Sequence, residues 1–253
     1  MRPLRAARGL ALLAIWIGAG ALPAAPARAQ ERPEPPKPAP AAKRKPAAAK
    51  QEQPAGPPTW YALTLAHSEI GINVAYFWSK GPKLRAETVI GGHKVVSIAN
   101  GDTYYAYDAT SREGVAIGRS ARAIAKDAPD RRPFGRELEV IAEQGGEKVG
   151  EEEIGGRVCE RHRITDDAGR REIWVTKDEL RLPLRLEIYT RLSGKTIYTD
   201  FVNWSSALPI DDGFFEPDAG VRFQRLSFEE YAKSQFTPIG PVPVLYMDLV
   251  TGR

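Results

Sequence analysis

The stretch Arg171–Ser205 contains three short strand-like segments: the first is rich in aromatic and β-branched residues, and in the other two apolar and polar side chains alternate with a period of two. In its middle segment, Leu184, Leu186 and Ile188 alternate with charged or aromatic residues, and the segment after a Ser-Gly turn alternates in the same way. This pattern predicts antiparallel strands with one apolar and one polar face, and we place the three named residues on the apolar face. Such a face must be covered by helices, by another sheet or by a ligand.

The same type of pattern extends over most of the chain. Short strands separated by Gly turns are expected from Trp60 to Asp108, and strands resume at Lys148. The sequence therefore predicts a mainly β (α+β) domain, in which a curled antiparallel sheet forms a half-open β-barrel with a few covering helices. Within Arg119–Ala142, the spacing of Ala121, Ile124 and Ala125 suggests a short helix, and Arg136–Glu143 is expected to form a second helical piece or a strand. The tail Pro241–Val250 is expected to add an edge strand, because prolines suit sheet edges.

Two segments precede this domain. Residues 1–29 have a basic start, the apolar run Gly9–Leu22 and an Ala27-Arg28-Ala29 cleavage signal, which together predict a secretory signal peptide. Residues 30–58 are rich in Pro, Ala and Lys and are expected to form a disordered linker. The folded domain is then residues 59–253, and the expected location of the mature protein is the periplasm.

The charge is distributed unevenly. The chain has a net charge of +4. The signal segment contains four Arg and no acidic residue, and the linker contains six Lys and Arg against three Glu. The folded domain is left at about −3, which is unfavourable for binding nucleic acid. The basic cluster Lys43-Arg44-Lys45 offers a contact for an anionic surface or an envelope protein, and the alternative is a solvated spacer.

Catalytic and metal-binding signatures are absent from the sequence. There is no nucleophile elbow, phosphate-binding loop or metal-ligand spacing, and the three His residues lie on different predicted segments. The single cysteine, Cys159, is expected to be a small, half-buried apolar residue. We therefore expect no cofactor, no bound metal and no catalysis, and an enzyme is the least favoured class.

The strongest candidate site is a group of apolar and aromatic side chains that we assign to one face of the sheet. Its function is either a concave pocket for an acyl chain or an ordinary core covered by the segment 119–143, and the sequence leaves both open. The small amount of amphipathic helix favours the pocket. The predicted ligand-binding residues are Tyr76, Trp78, Leu84, Val96, Ile98, Tyr105, Leu186, Ile188, Ile197 and Phe201.

One combination of residues resembles a known family. The pattern W-V-x-K-x-x-x-x-L-P-L-R-x-E, followed by Phe and Trp, an acidic loop, Phe-Glu-Pro and Gly-Val, is similar to the second half of LolA/LolB-like periplasmic lipoprotein carriers. The meander FWSKGPKLRAET…GGHKVVSIANGDTYYAYD is similar to their first half. The residues concerned are Trp174, Val175, Lys177, Leu182, Pro183, Leu184, Arg185, Glu187, Phe201, Trp204, Phe215, Glu216, Pro217, Gly220 and Val221.

This resemblance implies a half-open barrel curled around helices and a hydrophobic cavity. It also implies an acyl chain, a lipid or a lipoprotein as partner. We therefore predict an exported, non-catalytic binding protein that holds such a ligand in the concave face of the sheet. The alternative is a structural or interaction module of the cell envelope, in which the core is filled by the protein's own segments.

Overall fold

The computed structural model describes residues 56–69, 71–234 and 239–252. The predicted signal peptide lies outside the described residues, and so does the predicted linker except for residues 56–58. The strands are β1 (Thr59–Ser68), β2 (Gly71–Lys80), β3 (Lys83–Ile90), β4 (His93–Asn100), β5 (Thr103–Asp108), β6 (Glu113–Gly118), β7 (Glu147–Ile154), β8 (Arg157–Asp166), β9 (Gly169–Thr176), β10 (Pro183–Thr190), β11 (Lys195–Ser206) and β12 (Arg222–Leu226). The helices are α1 (Ala121–Ala125), α2 (Glu137–Glu143), α3 (Phe228–Lys233) and α4 (Met247–Thr251), with a 3-10 turn at Asp212–Phe215.

All the strands belong to one sheet, in the order β12-β6-β5-β4-β3-β2-β1-β11-β10-β9-β8-β7. The first six strands form one meander and β7–β11 form a second, and the pairing of β1 with β11 joins the two. Neighbours are antiparallel except for β12, which runs parallel to β6. The sheet is curled and not closed, so the predicted fold class is confirmed.

The alternating stretch forms three adjacent strands, β9, β10 and β11, as predicted. Ile188 lies directly opposite Ile197 in the hairpin. The placement of Leu184 beside Leu186 on one face is wrong, because a register shift between Pro183 and Arg185 interrupts the alternation. A bulge adds one residue to a strand and turns the following side chains to the other face. As a result, Leu184 packs with Cys159 and Trp174, whereas Leu186 packs against Ile173.

The C-terminal tail differs from the predicted edge strand. It adds no strand to the sheet, and its last part is the helix α4. The tail instead lies across the sheet, where Val242 and Val250 are buried against the first meander. Ser120, before α1, donates its backbone N–H to the carbonyl of Val250. Prolines lack the N–H that a strand needs, but they do not prevent a segment from packing its apolar side chains on a sheet face.

The two faces of the first meander are both covered. We call inner the face that carries Leu84, Ala99 and Tyr104, which packs against Phe134 and the C-terminal tail. The outer face carries Val96, Ile98 and Tyr107, and Val221 and Phe223 pack on it. We call residues 212–226, which include the 3-10 turn and β12, the strap. Both sides of β4 are therefore buried within the protein.

Candidate functional site

The ten predicted ligand-binding residues do not share one face. Residues directly opposite each other on neighbouring strands lie on the same side of the sheet, and the registers place five on each face. The single-face prediction is therefore wrong, because β2 and β4 carry apolar residues at consecutive positions and alternation does not distinguish their faces. Tyr76, Trp78, Val96, Ile98 and Tyr105 lie on the outer face, and Leu84, Leu186, Ile188, Ile197 and Phe201 lie on the inner face.

Two of the inner residues belong to a filled core. Leu84 is 1% exposed and Phe201 is 8% exposed. The ring of Phe201 stacks on Trp204 with 5.9 Å between centroids, and Trp204 stacks on Phe134 at 5.5 Å. Arg132, which the sequence did not single out, covers the edge of this cluster, with its guanidinium 5.2 Å from the centre of the Trp204 ring. This part of the inner face is covered by the protein's own side chains.

The other three inner residues lie where the cover ends. Leu186 and Ile188 are half-buried and Ile197 is 37% exposed. The helix α2 packs on β8, β9 and β10, and its Ile141 lies with Ile173 beside Leu186. Towards the β10–β11 turn, the apolar inner face emerges from this cover. We call Leu186, Ile188 and Ile197 the inner mouth.

Three of the outer residues are covered by the strap. Val96 and Ile98 are fully buried, and Tyr105 packs its ring edge-on against Phe223 at 5.3 Å. The strap is held by Arg85, which donates to the carbonyl of Phe214 at 3.3 Å and to the carboxylate of Asp218 at 3.1 Å. These outer residues therefore form a second core and not an open site.

The last two outer residues, Tyr76 and Trp78, belong to an apolar surface on β1 and β2. Tyr76 is 42% exposed and stacks on Trp78 with 6.0 Å between ring centroids. On its other side, Trp78 meets Tyr61 at 5.5 Å and Phe214 of the strap at 5.4 Å. We define the outer aromatic band as the outward side chains of these two strands: Tyr61, Leu63, Leu65, Ile72, Val74, Tyr76 and Trp78.

A cleft of about 490 Å³ opens at one end of this band. Thr59 and Lys80 contribute to it, and they lie opposite each other one row beyond Tyr61 and Trp78. The Lys80 ammonium bonds the carbonyl of Ile210 at 3.1 Å and is 2.9 Å from the carboxylate of Asp212. The remaining lining residues are Gly56, Pro57, Ala207, Leu208, Pro209 and Asp211.

The outer face of the second meander is charged. Glu172 is fully buried and makes ion pairs with Arg161, Arg163 and Arg170. Burial alone would raise the pKa of the Glu172 carboxyl, but hydrogen bonds from Arg163 and Arg161 hold that pKa below its ordinary value. The Glu172 carboxylate is thus paired with three guanidinium groups.

The titratable residues do not form a catalytic cluster within the described part of the chain. His67, His93 and His162 pair with three different carboxylates, on separate strands. Glu137 has a buried Oε2 atom without a hydrogen-bond partner, and burial raises its pKa to about 7. No group of three His, Cys, Asp or Glu side chains suited to a metal ion is found among the described residues. None of the helices described here is both long and apolar enough to span a membrane.

The apolar outward positions of β1 were missed by sequence reasoning, although a signal was present. In both β1 and β2, every second residue is large and apolar, and this set begins at Tyr61 and Ile72. Alternation identifies such a set but not the face that becomes the core. In β1, the signal was the small size of the intervening residues, Ala62, Thr64 and Ala66. Small side chains suit a crowded interior, so the large residues between them are expected to point outward.

Comparisons with known proteins give a limited match. A family model described as "Predicted periplasmic protein (DUF2092)" matches residues 136–226, from α2 to β12, which is less than half of the chain. No curated protein was found to match.

Similar solved structures share little sequence with the chain. An uncharacterized conserved protein from Thermus thermophilus is 11% identical with a TM-score of 0.49, over 68% of this chain and 91% of that one. For the MucA/MucB complex of Pseudomonas aeruginosa, the identity is 13% and the TM-score is 0.40, over 65% of this chain and 57% of that one. For LprF from Mycobacterium bovis, the identity is 15% and the TM-score is 0.37, over 66% of this chain and 91% of that one. With every one of these scores below 0.5, the likeness carries no inference about function.

Proposed function

We propose that the protein is an exported, non-catalytic binding protein that holds an acyl chain or a similarly apolar group of a lipid or lipoprotein at the inner mouth. The observation that carries this proposal is the exposure of Ile197 opposite Ile188, at the point where the inner face emerges from under α2. Apolar side chains that remain accessible on an otherwise covered face are suited to an apolar ligand. The resemblance to the LolA/LolB-like carriers also supports it.

Export is part of the same proposal. Residues 1–29 have the pattern of a signal peptide, and the matching family is described as periplasmic. The mature chain would begin at Gln30, followed by the linker and a binding domain from residue 59. N-terminal sequencing of the exported protein tests this, and a chain that retains Met1 would contradict it.

Binding at the inner mouth is tested by substitution. Ile188→Ser removes apolar surface from the mouth, whereas Leu192→Ser removes it from the adjacent turn, where Leu192 is 88% exposed. A buried Ile side chain contributes roughly 1.5–3 kcal/mol. Affinity for a fluorescent fatty acid should therefore fall about 10-fold or more in the first variant and stay unchanged in the second.

The possible results separate the candidate functions. Lipids that co-purify with the wild-type protein, identified by mass spectrometry, would support the proposal and name the ligand. A wild-type protein that binds neither probe nor lipid would refute it. Equal loss of binding in both variants would place the ligand outside the mouth.

An interaction module of the cell envelope is the second candidate. The specific observation in its favour is the inner core of the first meander, where Leu84 is 1% exposed and the C-terminal tail packs on the sheet. In this case the sheet is a scaffold, and its exposed apolar surface contacts another polypeptide. Failure of all lipid binding, together with retention of the folded state, would favour this function.

A further inference from the structure

The outer aromatic band reverses the usual distribution of side chains in a sheet. On the inner side, β1 presents Trp60 at its start and then Ala62, Thr64 and Ala66. Its outward positions are Tyr61, Leu63 and Leu65. β2 is similar, with Phe77 as its one large inward residue: its other inward residues are small, and its outward residues are large and apolar. A sheet with one solvated face normally places polar residues there.

The outward residues are not covered by the part of the chain that the structure describes. Ile72 is 63% exposed and Tyr76 is 42% exposed, and the other members are partly exposed. The strap reaches only the end of the band, where Phe214 contacts Trp78. The C-terminal tail lies on the opposite face. A contiguous apolar patch of this kind marks an interaction site.

The band and the cleft form one elongated surface. Moving along β1, the outward rows are Thr59–Lys80, Tyr61–Trp78, Leu63–Tyr76, Leu65–Val74 and His67–Ile72. With about 3.4 Å per residue, this surface is roughly 27 Å long. A narrow strip that begins with stacked aromatic rings suits an extended polypeptide better than a compact ligand.

We propose that the outer aromatic band binds the chain's own proline-rich segment, Pro33–Pro40. Its sequence, PEPPKPAP, contains the P-x-x-P spacing. Such segments favour the polyproline II conformation and bind to aromatic-lined grooves, because little entropy is lost when a preformed helix docks. The occupant is then supplied by the protein itself.

The length of the chain and its point of entry support this occupant. The segment joins the domain through Gly56 and Pro57, which line the cleft at the end of the band. The backbone carbonyl of Pro58 accepts a hydrogen bond from Gly81 at 2.9 Å, which fixes the point of entry beside Lys80. Fifteen residues separate Pro40 from Gly56, and a flexible chain of that length would have a root-mean-square span of about 20 Å, comparable to the length of the surface.

Charge is consistent with the same arrangement. Residues 30–58 carry six Lys and Arg against three Glu, whereas the folded domain has a small net negative charge. Asp211 lines the cleft, and the next residue, Asp212, pairs with Lys80 and Lys83. Because a tether of this length keeps the segment at an effective concentration of the order of millimolar, weak contacts are sufficient for substantial occupancy.

The test uses the exported chain with a spin label on Ala39→Cys. The native Cys159 is buried and its thiol pKa is raised by burial, so the reagent should react at the introduced residue. We expect strong broadening of the amide signals of β1 and β2 in a nitrogen-15-labelled sample, and none in β7 and β8. Tyr76→Ser or Ile72→Ser should abolish the broadening, since both side chains are exposed and their loss leaves the core intact.

Controls separate this proposal from other occupants. Val158→Ser changes an equally exposed apolar residue on β8 and should leave the broadening unchanged. Replacing Pro35, Pro36 and Pro38 by Gly should remove it. Broadening that is absent, or that survives the Tyr76→Ser and Ile72→Ser changes, would overturn the proposal. Broadening seen only between a spin-labelled chain and a separate isotope-labelled chain would assign the band to a second copy instead.

Discussion

Replacement of Phe201 by alanine tests whether the inner face where β11 pairs with β1 is a filled core. The side chain is 8% exposed and is the outermost ring of the stack Phe201–Trp204–Phe134. Removal of a buried Phe from a packed core costs about 3–5 kcal/mol, and the lost stacking adds roughly 0.5–1.5 kcal/mol to the burial contribution. We expect the free energy of unfolding to fall by about 4 kcal/mol.

Urea unfolding followed by circular dichroism measures this change. The control is Leu192→Ala in the turn before β11, where the side chain is 88% exposed. That variant should lose less than about 1 kcal/mol, as is usual for surface positions. A loss of only about 1–2 kcal/mol in Phe201→Ala, similar to simple transfer of a partly solvated ring, would show that the inner face is connected to solvent and that the filled-core description is incorrect.

Two further predictions concern α2 and the turn before it. The pKa of Glu137 in the folded protein is about 7, above its ordinary value of 4.5, so this residue's contribution to stability is present below pH 4.5 and is lost as the pH rises through 7. The free energy of unfolding of Glu137→Gln, measured in urea, should exceed that of the wild type by roughly 2–3 kcal/mol at pH 8 and by little at pH 4.5. A difference that does not change with pH would contradict this. Gly135→Ala should lower stability by about 2–4 kcal/mol, because Gly135 has a φ of 68° and an added Cβ would lie 2.6 Å from the Trp204 ring; an unchanged melting temperature would show that this ring moves freely.

The strands were predictable because their pattern is local. A strand can be recognised from its own alternation and from a turn at its end. The β10–β11 hairpin shows both: apolar residues alternate up to Ile188, and Gly194 lies in the turn. The position of Leu184 was not predictable, since a bulge depends on how two neighbouring strands align. A shift of one residue is enough to move a side chain to the other face.

The site was less predictable because the choice of face is a property of the whole molecule. In β4, Val95 packs on the inner side and Val96 on the outer side, and the sequence contains nothing that separates them. The faces are distinguished by the tail and the strap, segments distant in sequence that carry Val250 and Phe223. Which apolar side chains are covered is therefore decided by tertiary packing and not by the period of the strand.

The pairing of β1 with β11 has a consequence for folding. Thr64 lies opposite Phe201, so the first strand of the domain acquires this neighbour only after almost the whole domain is available. Closing so large a loop is entropically costly, and folding rates fall as contacts become more distant in sequence. Until β11 arrives, one edge of β1 has unpaired backbone groups next to the large side chains of Tyr61 and Leu63. We therefore expect slow refolding and a transient tendency to aggregate, which a protein that binds unpaired strands would suppress.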